Sequence, residues 1–252
     1  MSAFDADRDA VIARAREAGV GRIMNPGVDL DSSRRAVALA EKYPEVYAAV
    51  GFHPHDAAKL GADELRELRV LATHPKVKAI GEIGLDYYRN LSPQDVQQKA
   101  FRAQLELAAE LSLPVIIHNR EAFADVIGML TEWGWAREAA RPSGVLHSFS
   151  GDRTQVEPSL KVNFLLGLTG PITFPKADEM RAVAATAPLS KLLVETDAPY
   201  LTPAPRRGKR NEPAYARYVA GKLAEVRGED FETIVRQTGA NASLLFEWSN
   251  SD

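Results

Sequence analysis

Seven short, nearly continuous apolar runs alternate with helical or loop stretches along this 252-residue chain. Four of its five histidines fall at or just past the ends of those runs. Apolar strands separated by helices imply a parallel sheet covered on both faces. With polar residues gathered at the strand C-termini, this predicts an α/β fold, a TIM-type (β/α)8 barrel whose first β-strand is missing, so seven parallel strands are expected. A single barrel takes about 250 residues, and eight units in this length would average about 31 residues each, close to the size of a βαβ unit. The alternative is an open doubly wound sheet, which usually carries a Gly-rich phosphate turn after an early strand. Asn25-Pro26-Gly27-Val28-Asp29 does not have that form. One domain over residues 1–252 is expected, without linker, low-complexity tract or repeat beyond the βα alternation.

Asp5 or Asp7 is placed to cap a first helix running to Ala18, which Gly19 ends. Residues 22–25 read as a strand, 32–42 as a helix stopped before Pro44, and 46–51 as a buried strand. A helix over 63–72, a strand over 77–83 and a long helix over 93–111 with proline at its start follow. Then come strand 114–118, helix 122–132, strand 144–147, a poorer helix near 154–161, strand 163–168, helix 177–186 and strand 192–196. Helices over 213–226, 231–237 and 241–246 close the chain. The count is seven strands with an extra helix in front, and the element absent from a barrel is its first strand.

Hydrophobic residues make up 45% and charged residues 26%, which excludes a disordered or fibrous chain. The net charge of −3 excludes a surface coated in positive charge and leaves room for a local cationic patch. There is no cysteine, so disulfides, thiol nucleophiles and iron–sulfur ligation are excluded. The longest mostly apolar stretch, Val162 to Phe174, is interrupted by Asn163, Thr169 and Pro171 and is too short to span a membrane. The acidic N-terminus lacks the pattern of a signal peptide, so a cytoplasmic protein is expected, with no membrane partner.

His118 ends one apolar run and His147 another; His53 and His55 lie just past the run that ends at Gly51. Glu82 and Asp197 share this strand-end placement. In a barrel those ends form one rim, so Glu82, His118, His147 and Asp197 are expected to converge. Two imidazoles and two carboxylates form a donor set for zinc, manganese or iron, and carboxylates with water admit magnesium. Taken singly, each residue reads as a satisfied polar group. Taken together, burying several ionisable groups without a cation is costly. His74 precedes its strand and reads as structural. Arg120 either reaches an anionic substrate or pairs with Glu121 or Asp125. Arg206, Arg207, Lys209 and Arg210 are either a solvated charge run or a phosphate-gripping loop. Phe52, Tyr87, Tyr88, Phe149, Phe174 and Tyr200 lie near strand ends, as stacking surfaces for bases or as rim packing. Ser148 and Ser150 lack the setting of a nucleophile elbow.

The stretches Gly51-Phe52-His53-Pro54-His55, Ala79 to Tyr88, Pro114 to Arg120, His147-Ser148-Phe149-Ser150-Gly151, Glu195 to Leu201 and Arg207 to Pro213 occur in this order along the chain. Together they resemble the TatD family of metal-dependent deoxyribonucleases, within the amidohydrolase-like TIM barrels. The resemblance covers essentially the whole chain and implies a single TatD-like hydrolase domain. It implies that Glu82, His118, His147 and Asp197 are metal ligands, with Glu82 bridging where two ions are bound and His53 close to the substrate phosphate. It also implies one or two divalent ions (Mg2+, Mn2+ or Zn2+) and 3′–5′ exonuclease or related phosphodiester hydrolysis on DNA, at single strands or 3′ ends. The family opens with a strand ending in H-x-H, and this sequence has no histidine before His53. The start being placed too late, a shortened chain and the loss of one metal position are the three readings of that departure.

The expected chemistry is hydrolysis by metal-activated water, with Asp197 taking the proton and Glu82 essential. Arg120, Arg207 and Arg210 would hold the phosphate backbone, and the protein would act as a monomer. The rival readings are a metal-dependent acyl, amide or D-aminoacyl-tRNA ester hydrolase, and a catalytically crippled remnant that binds nucleic acid or a partner.

Overall fold

The computed structural model describes residues 2–135 and 140–248. Seven strands lie side by side in sequence order: β1 (Ile23–Pro26), β2 (Val46–Val50), β3 (Val77–Asp86), β4 (Val115–Arg120), β5 (Gly144–Leu146), β6 (Phe164–Leu168) and β7 (Leu192–Val194). The pairings β1/β2, β2/β3, β3/β4, β4/β5 and β6/β7 are parallel. Every residue of β2 and of β6 is buried, as expected for strands with both faces covered. The helices are α1 (Arg8–Glu17), α2 (Leu30–Lys42), α3 (Ala62–Ala72), α4 (Gln94–Glu110), α5 (Phe123–Trp133), α6 (Arg153–Lys161), α7 (Asp178–Thr186), α8 (Ala216–Arg227) and α9 (Phe231–Phe246). Among the described residues no helix is long and apolar enough to cross a membrane.

Three local expectations are corrected. Residues 231–237 and 241–246 form one helix, α9, instead of two. Ile234, Thr238 and Asn241 share a buried stripe of that helix, and the Thr238 hydroxyl donates to the Ile234 carbonyl. The helix therefore continues through Gly239, because packing of one face outweighs a single glycine. Asp7 stands at the N-cap of α1 but makes no side-chain cap; its carboxylate is taken by arginines. Strand β3 runs on to Asp86, and a 3-10 turn, Pro54–Lys59, follows His53.

The chain divides into two compact units. The first comprises Arg22–His147, Lys161–Phe164 and Leu244–Asp252, and holds β1 to β5. Its β3/β4 pairing sets up the strand ends. Ile80 is registered with Val115 and Ile83 with Ile117, so β3 carries one extra residue there, a bulge beside Glu82. Beyond it, Gly84 lies opposite His118 and Asp86 opposite Arg120. Gly84 has φ +138°, and a Cβ there would meet the His118 carbonyl oxygen at 2.0 Å. Only glycine fits this approach.

Helix α4 supplies two buried glutamines, Gln97 and Gln104, two turns apart on one face. The Gln97 carboxamide accepts from the Asp86 N–H (2.8 Å) and donates to the Asp86 carbonyl (3.1 Å). Gln104 accepts from the Phe52 N–H (2.7 Å) and donates to the Phe52 carbonyl (3.1 Å). One helix thus fixes the backbone that follows β2 and the end of β3, next to His53 and at Asp86.

The second unit comprises Met1–Gly21, Ser148–Leu160 and Leu165–Ser243. Here α1 is tied to residues 210–212. Asp7 takes both terminal nitrogens of Arg210 (2.8 and 2.7 Å), and Arg14 donates to Glu212 at 2.9 Å. Asn241 donates to the Leu189 and Leu192 carbonyls, holding α9 against the start of β7.

Three expected outcomes follow from this packing. Gly84→Ala lowers unfolding stability in urea by at least about 2 kcal/mol, because a methyl has no space and the backbone is strained for any other residue. Gln104→Leu costs about 1–3 kcal/mol by leaving the Phe52 N–H and carbonyl unpaired, read from the same urea curves. Arg210 hydrogen bonding holds the Asp7 pKa down to about 2 from 3.8, with burial partly opposing. A depressed carboxylate stabilises the fold above its unfolded pKa. The advantage of wild type over Asp7→Asn is therefore full above pH 4 and fades as pH falls toward 2, measured by urea unfolding across that range.

Candidate metal centre

Glu82, Gly84 and Asp86 alternate along β3 and so point to one side of the strand. His118 is registered opposite the glycine between the two carboxylates. Its ring lies between them: Nδ1 is 3.0 Å from Glu82 Oε1 and Nε2 is 3.1 Å from Asp86 Oδ2. His55 Nε2 reaches the same Asp86 oxygen at 2.8 Å. His53 Nε2 lies 3.8 Å from Glu82 Oε1, and its ring centroid is 4.4 Å from that of His118. Three imidazoles and two carboxylates, all from the first unit, therefore form one cluster.

Ligand atoms of His53, Glu82 and His118 all lie within 4.8 Å of one another, close enough to share one ion. One carboxylate and two imidazoles form a borderline donor set that suits zinc or manganese. The electrostatics fit a cation as well. Burial opposes charge on His118, yet its hydrogen bonds to Asp86 and Glu82 outweigh this and push its pKa up to about 9. Burial would raise the Glu82 pKa, but the hydrogen bond from His118 and the nearby His147 hold it well below the usual carboxylate range. Asp86 is lowered in the same way: His118, the Arg89 N–H and His55 overcome its burial. Two ionised carboxylates border the site, and in the ion-free protein the His118 imidazolium supplies the positive charge between them; a bound cation would take over that charge as the ring gives up a proton.

His53 behaves differently. Burial pushes its pKa down to about 4, with Glu82 offsetting only part of the effect, so the ring is neutral at pH 7. Its Nδ1 accepts from the His55 N–H at 3.2 Å, which assigns the proton to Nε2. In that tautomer His53 is an N–H donor facing the site.

Of the expected ligands, Glu82 and His118 meet directly, and His147 belongs to the same unit and acts on Glu82 electrostatically. Asp197 belongs to the second unit, three residues past β7, and is half-buried. Arg120 ends β4 with its guanidinium 3.9 Å from the centre of the Tyr88 ring, and pairs with neither Glu121 nor Asp125. Arg207 lies 3.8 Å over Phe174. The terminal nitrogens of Arg210 are committed to Asp7 and to the Ala3 carbonyl. Phe52 and Phe149 are buried packing residues. His74 precedes β3, where it meets Glu41 at 3.2 Å and its Nδ1 accepts from the Lys76 N–H.

Sequence reasoning passed over Asp86 and His55 as members of the site, and over Gln97 and Gln104 as its supports. The signal for the first two was present: both are polar residues at or just past a strand end, within stretches already singled out. The glutamines carried no signal, since a buried carboxamide on a helix looks like any polar helical residue.

Known proteins resemble this chain along nearly its whole length. The family model described as "TatD related DNase" matches residues 1–247. The uncharacterized metal-dependent hydrolase YabD of Bacillus subtilis is 44% identical over 243 residues, covering 96% of this chain and 94% of that protein. The 3′-5′ ssDNA/RNA exonuclease TatD of Pectobacterium parmentieri is 40% identical over 251 residues, covering 97% and 95%. Among solved structures, the TatD homolog YJJV of Escherichia coli superposes with a TM-score of 0.91 at 35% identity, covering 98% of this chain and 94% of that one. An organophosphorus hydrolase superposes with a TM-score of 0.67 at 16% identity, a likeness of fold alone. A strand-ordered α/β sheet, a carboxylate–imidazole cluster at its strand ends and a family match along nearly the whole length lead to one conclusion: this chain belongs to the TatD-related DNase family of metal-dependent hydrolases.

Proposed function

We propose that this chain is a metal-dependent 3′–5′ exonuclease that hydrolyses phosphodiester bonds of single-stranded DNA. The observation that carries the reading is the seating of His118 between Glu82 and Asp86, with the donor atoms of His53, Glu82 and His118 close enough to share an ion. Relatives about 40% identical over nearly their full length are named 3′-5′ ssDNA/RNA exonucleases, which supports the substrate class and makes RNA a second strand to test.

Glu82 and His118, with His147, would hold a divalent ion, Mg2+, Mn2+ or Zn2+. Such an ion, when bound, polarises a phosphoryl oxygen and lowers the pKa of a bound water. Asp86 orients the His118 ring through Nε2, and His55 and the Arg89 N–H in turn fix that carboxylate. His53, neutral, would either complete the ligand set through Nε2 or, with the proton on that nitrogen, donate to a phosphate oxygen without adding a charge. Arg120 and Arg207, both exposed, hold the phosphate backbone, while Arg210 keeps the loop anchored through Asp7. The family resemblance implies that Asp197 would take a proton from the water and serve as a further ligand. That role rests on its place after β7 and on the resemblance of Glu195-Thr196-Asp197 to the family motif. Nothing in this assignment needs a second copy of the chain, so the reading takes the enzyme as a monomer.

The test follows 5′-labelled single-stranded oligonucleotides through time with Mg2+ or Mn2+. Wild type is expected to shorten them stepwise from the 3′ end and to stop when EDTA removes the ion. Glu82→Ala is expected to lose at least about 100-fold in rate. Equal product from wild type and Glu82→Ala would overturn the reading.

A further inference from the structure

Past the strand ends that carry the cluster, Tyr88 and Arg120 form a second feature. Tyr88 lies two residues beyond Asp86, and Arg120 two residues beyond His118. The end of β3 and the end of β4 are in register there, Asp86 opposite Arg120, and the Tyr87 N–H donates to the Arg120 carbonyl at 2.9 Å. The guanidinium covers one face of the Tyr88 ring at 3.9 Å, yet Tyr88 is 57% exposed. Among the described residues neither the Arg120 guanidinium nor the Tyr88 hydroxyl has a hydrogen-bond or ion-pair partner. Of the two acidic neighbours in sequence, the adjacent Glu121 forms no ion pair with Arg120, and Asp125 is engaged elsewhere: it accepts from the Tyr87 hydroxyl at 2.6 Å and from Gln98 at 3.1 Å.

An unpaired cation stacked on a half-open aromatic ring is a feature that Arg120 shares with Arg207 over Phe174, and it sets both apart from the arginines bound to carboxylates. Arg14, Arg34, Arg102, Arg153, Arg210 and Arg227 all pair with carboxylates. A large exposed ring and an uncommitted guanidinium together suit a flat, phosphate-bearing ligand.

We propose that Tyr88 and Arg120 form a stacking platform for a nucleobase beside the scissile phosphate, with Arg120 contacting the phosphate of the same nucleotide. Stacking uses the ring face that every base presents, so the platform accepts any base. The inference rests on the exonuclease reading, and its test is made separable from that reading.

The full-length protein in EDTA, where no strand is cut, is titrated into fluorescein-labelled oligo-dT. A second titration uses a tetrahydrofuran oligomer of equal length that keeps every phosphate and lacks every base, with fluorescence anisotropy read for both. Wild type is expected to bind the base-bearing strand about 5- to 100-fold more tightly than the abasic one. Tyr88→Ala should remove most of that ratio and Tyr88→Trp should keep it. Arg120→Ala should weaken both strands and flatten the dependence of affinity on salt. A wild type that binds both strands alike, or a Tyr88→Ala variant that keeps the wild-type ratio, overturns the platform. Hydrolysis of bis(p-nitrophenyl) phosphate by wild type with Mn2+, followed in parallel, reports on the hydrolase reading alone. If hydrolysis is absent and the base preference is lost in Tyr88→Ala, the platform stands without the exonuclease. If hydrolysis is present and no base preference exists, the exonuclease stands without the platform.

Discussion

Where β3 passes β4 the backbones come too close for any side chain at position 84. A Cβ there would sit 2.0 Å from the His118 carbonyl oxygen. That one contact sets the register of Glu82, Gly84 and Asp86 against His118 and Arg120, and so fixes which side chains face each other beyond the sheet. Glycine opens the gap, the carboxylates two residues to either side of it border the gap, and the imidazole enters between them. The bulge after Ile80 brings Glu82 into this alternation, since one extra residue reverses the side to which a strand's side chains point. The separations within the cluster follow from that pairing.

Grouping charges in this way is expensive unless each is compensated. The compensation here is mutual. Asp86 binds two imidazoles and a backbone N–H; Glu82 binds His118 and senses His147; His118, between them, is pushed up to about 9. His53 stands apart as the neutral member, because its burial is not offset by a direct carboxylate contact. The cluster therefore offers two kinds of nitrogen, one suited to a cation's place and one suited to donating toward an anion.

The supports of the site are less conspicuous than its members. Gln97 and Gln104 satisfy backbone groups that leave the sheet and have no strand partner. Both come from one face of α4, so the segments after β2 and at the end of β3 share one rigid reference. In the other unit, Asp7, Arg14, Arg210 and Glu212 do similar work, tying α1 to the segment that precedes α8. These polar ties hold loops in place where a small apolar contact would let them slide.

The order of seven strands and their burial were legible in the sequence, and so was the nearness of Glu82 on β3 to His118 on β4. Those features depend on local periodicity and on which residue types tolerate burial. The continuity of α9 through Gly239 was not legible, because a buried stripe made of Ile234, Thr238 and Asn241 exists only when the helix is packed. The commitment of Arg210 to Asp7, more than 200 residues away, is equally invisible along the chain. So is the choice that left Arg120 on a tyrosine ring and gave Asp125 to a neighbouring hydroxyl. Sequence alone determined which groups could do chemistry. The tertiary structure decided which of them touch, because hydrogen bonds and ion pairs depend on distances of a few ångströms that only strand register and helix packing set.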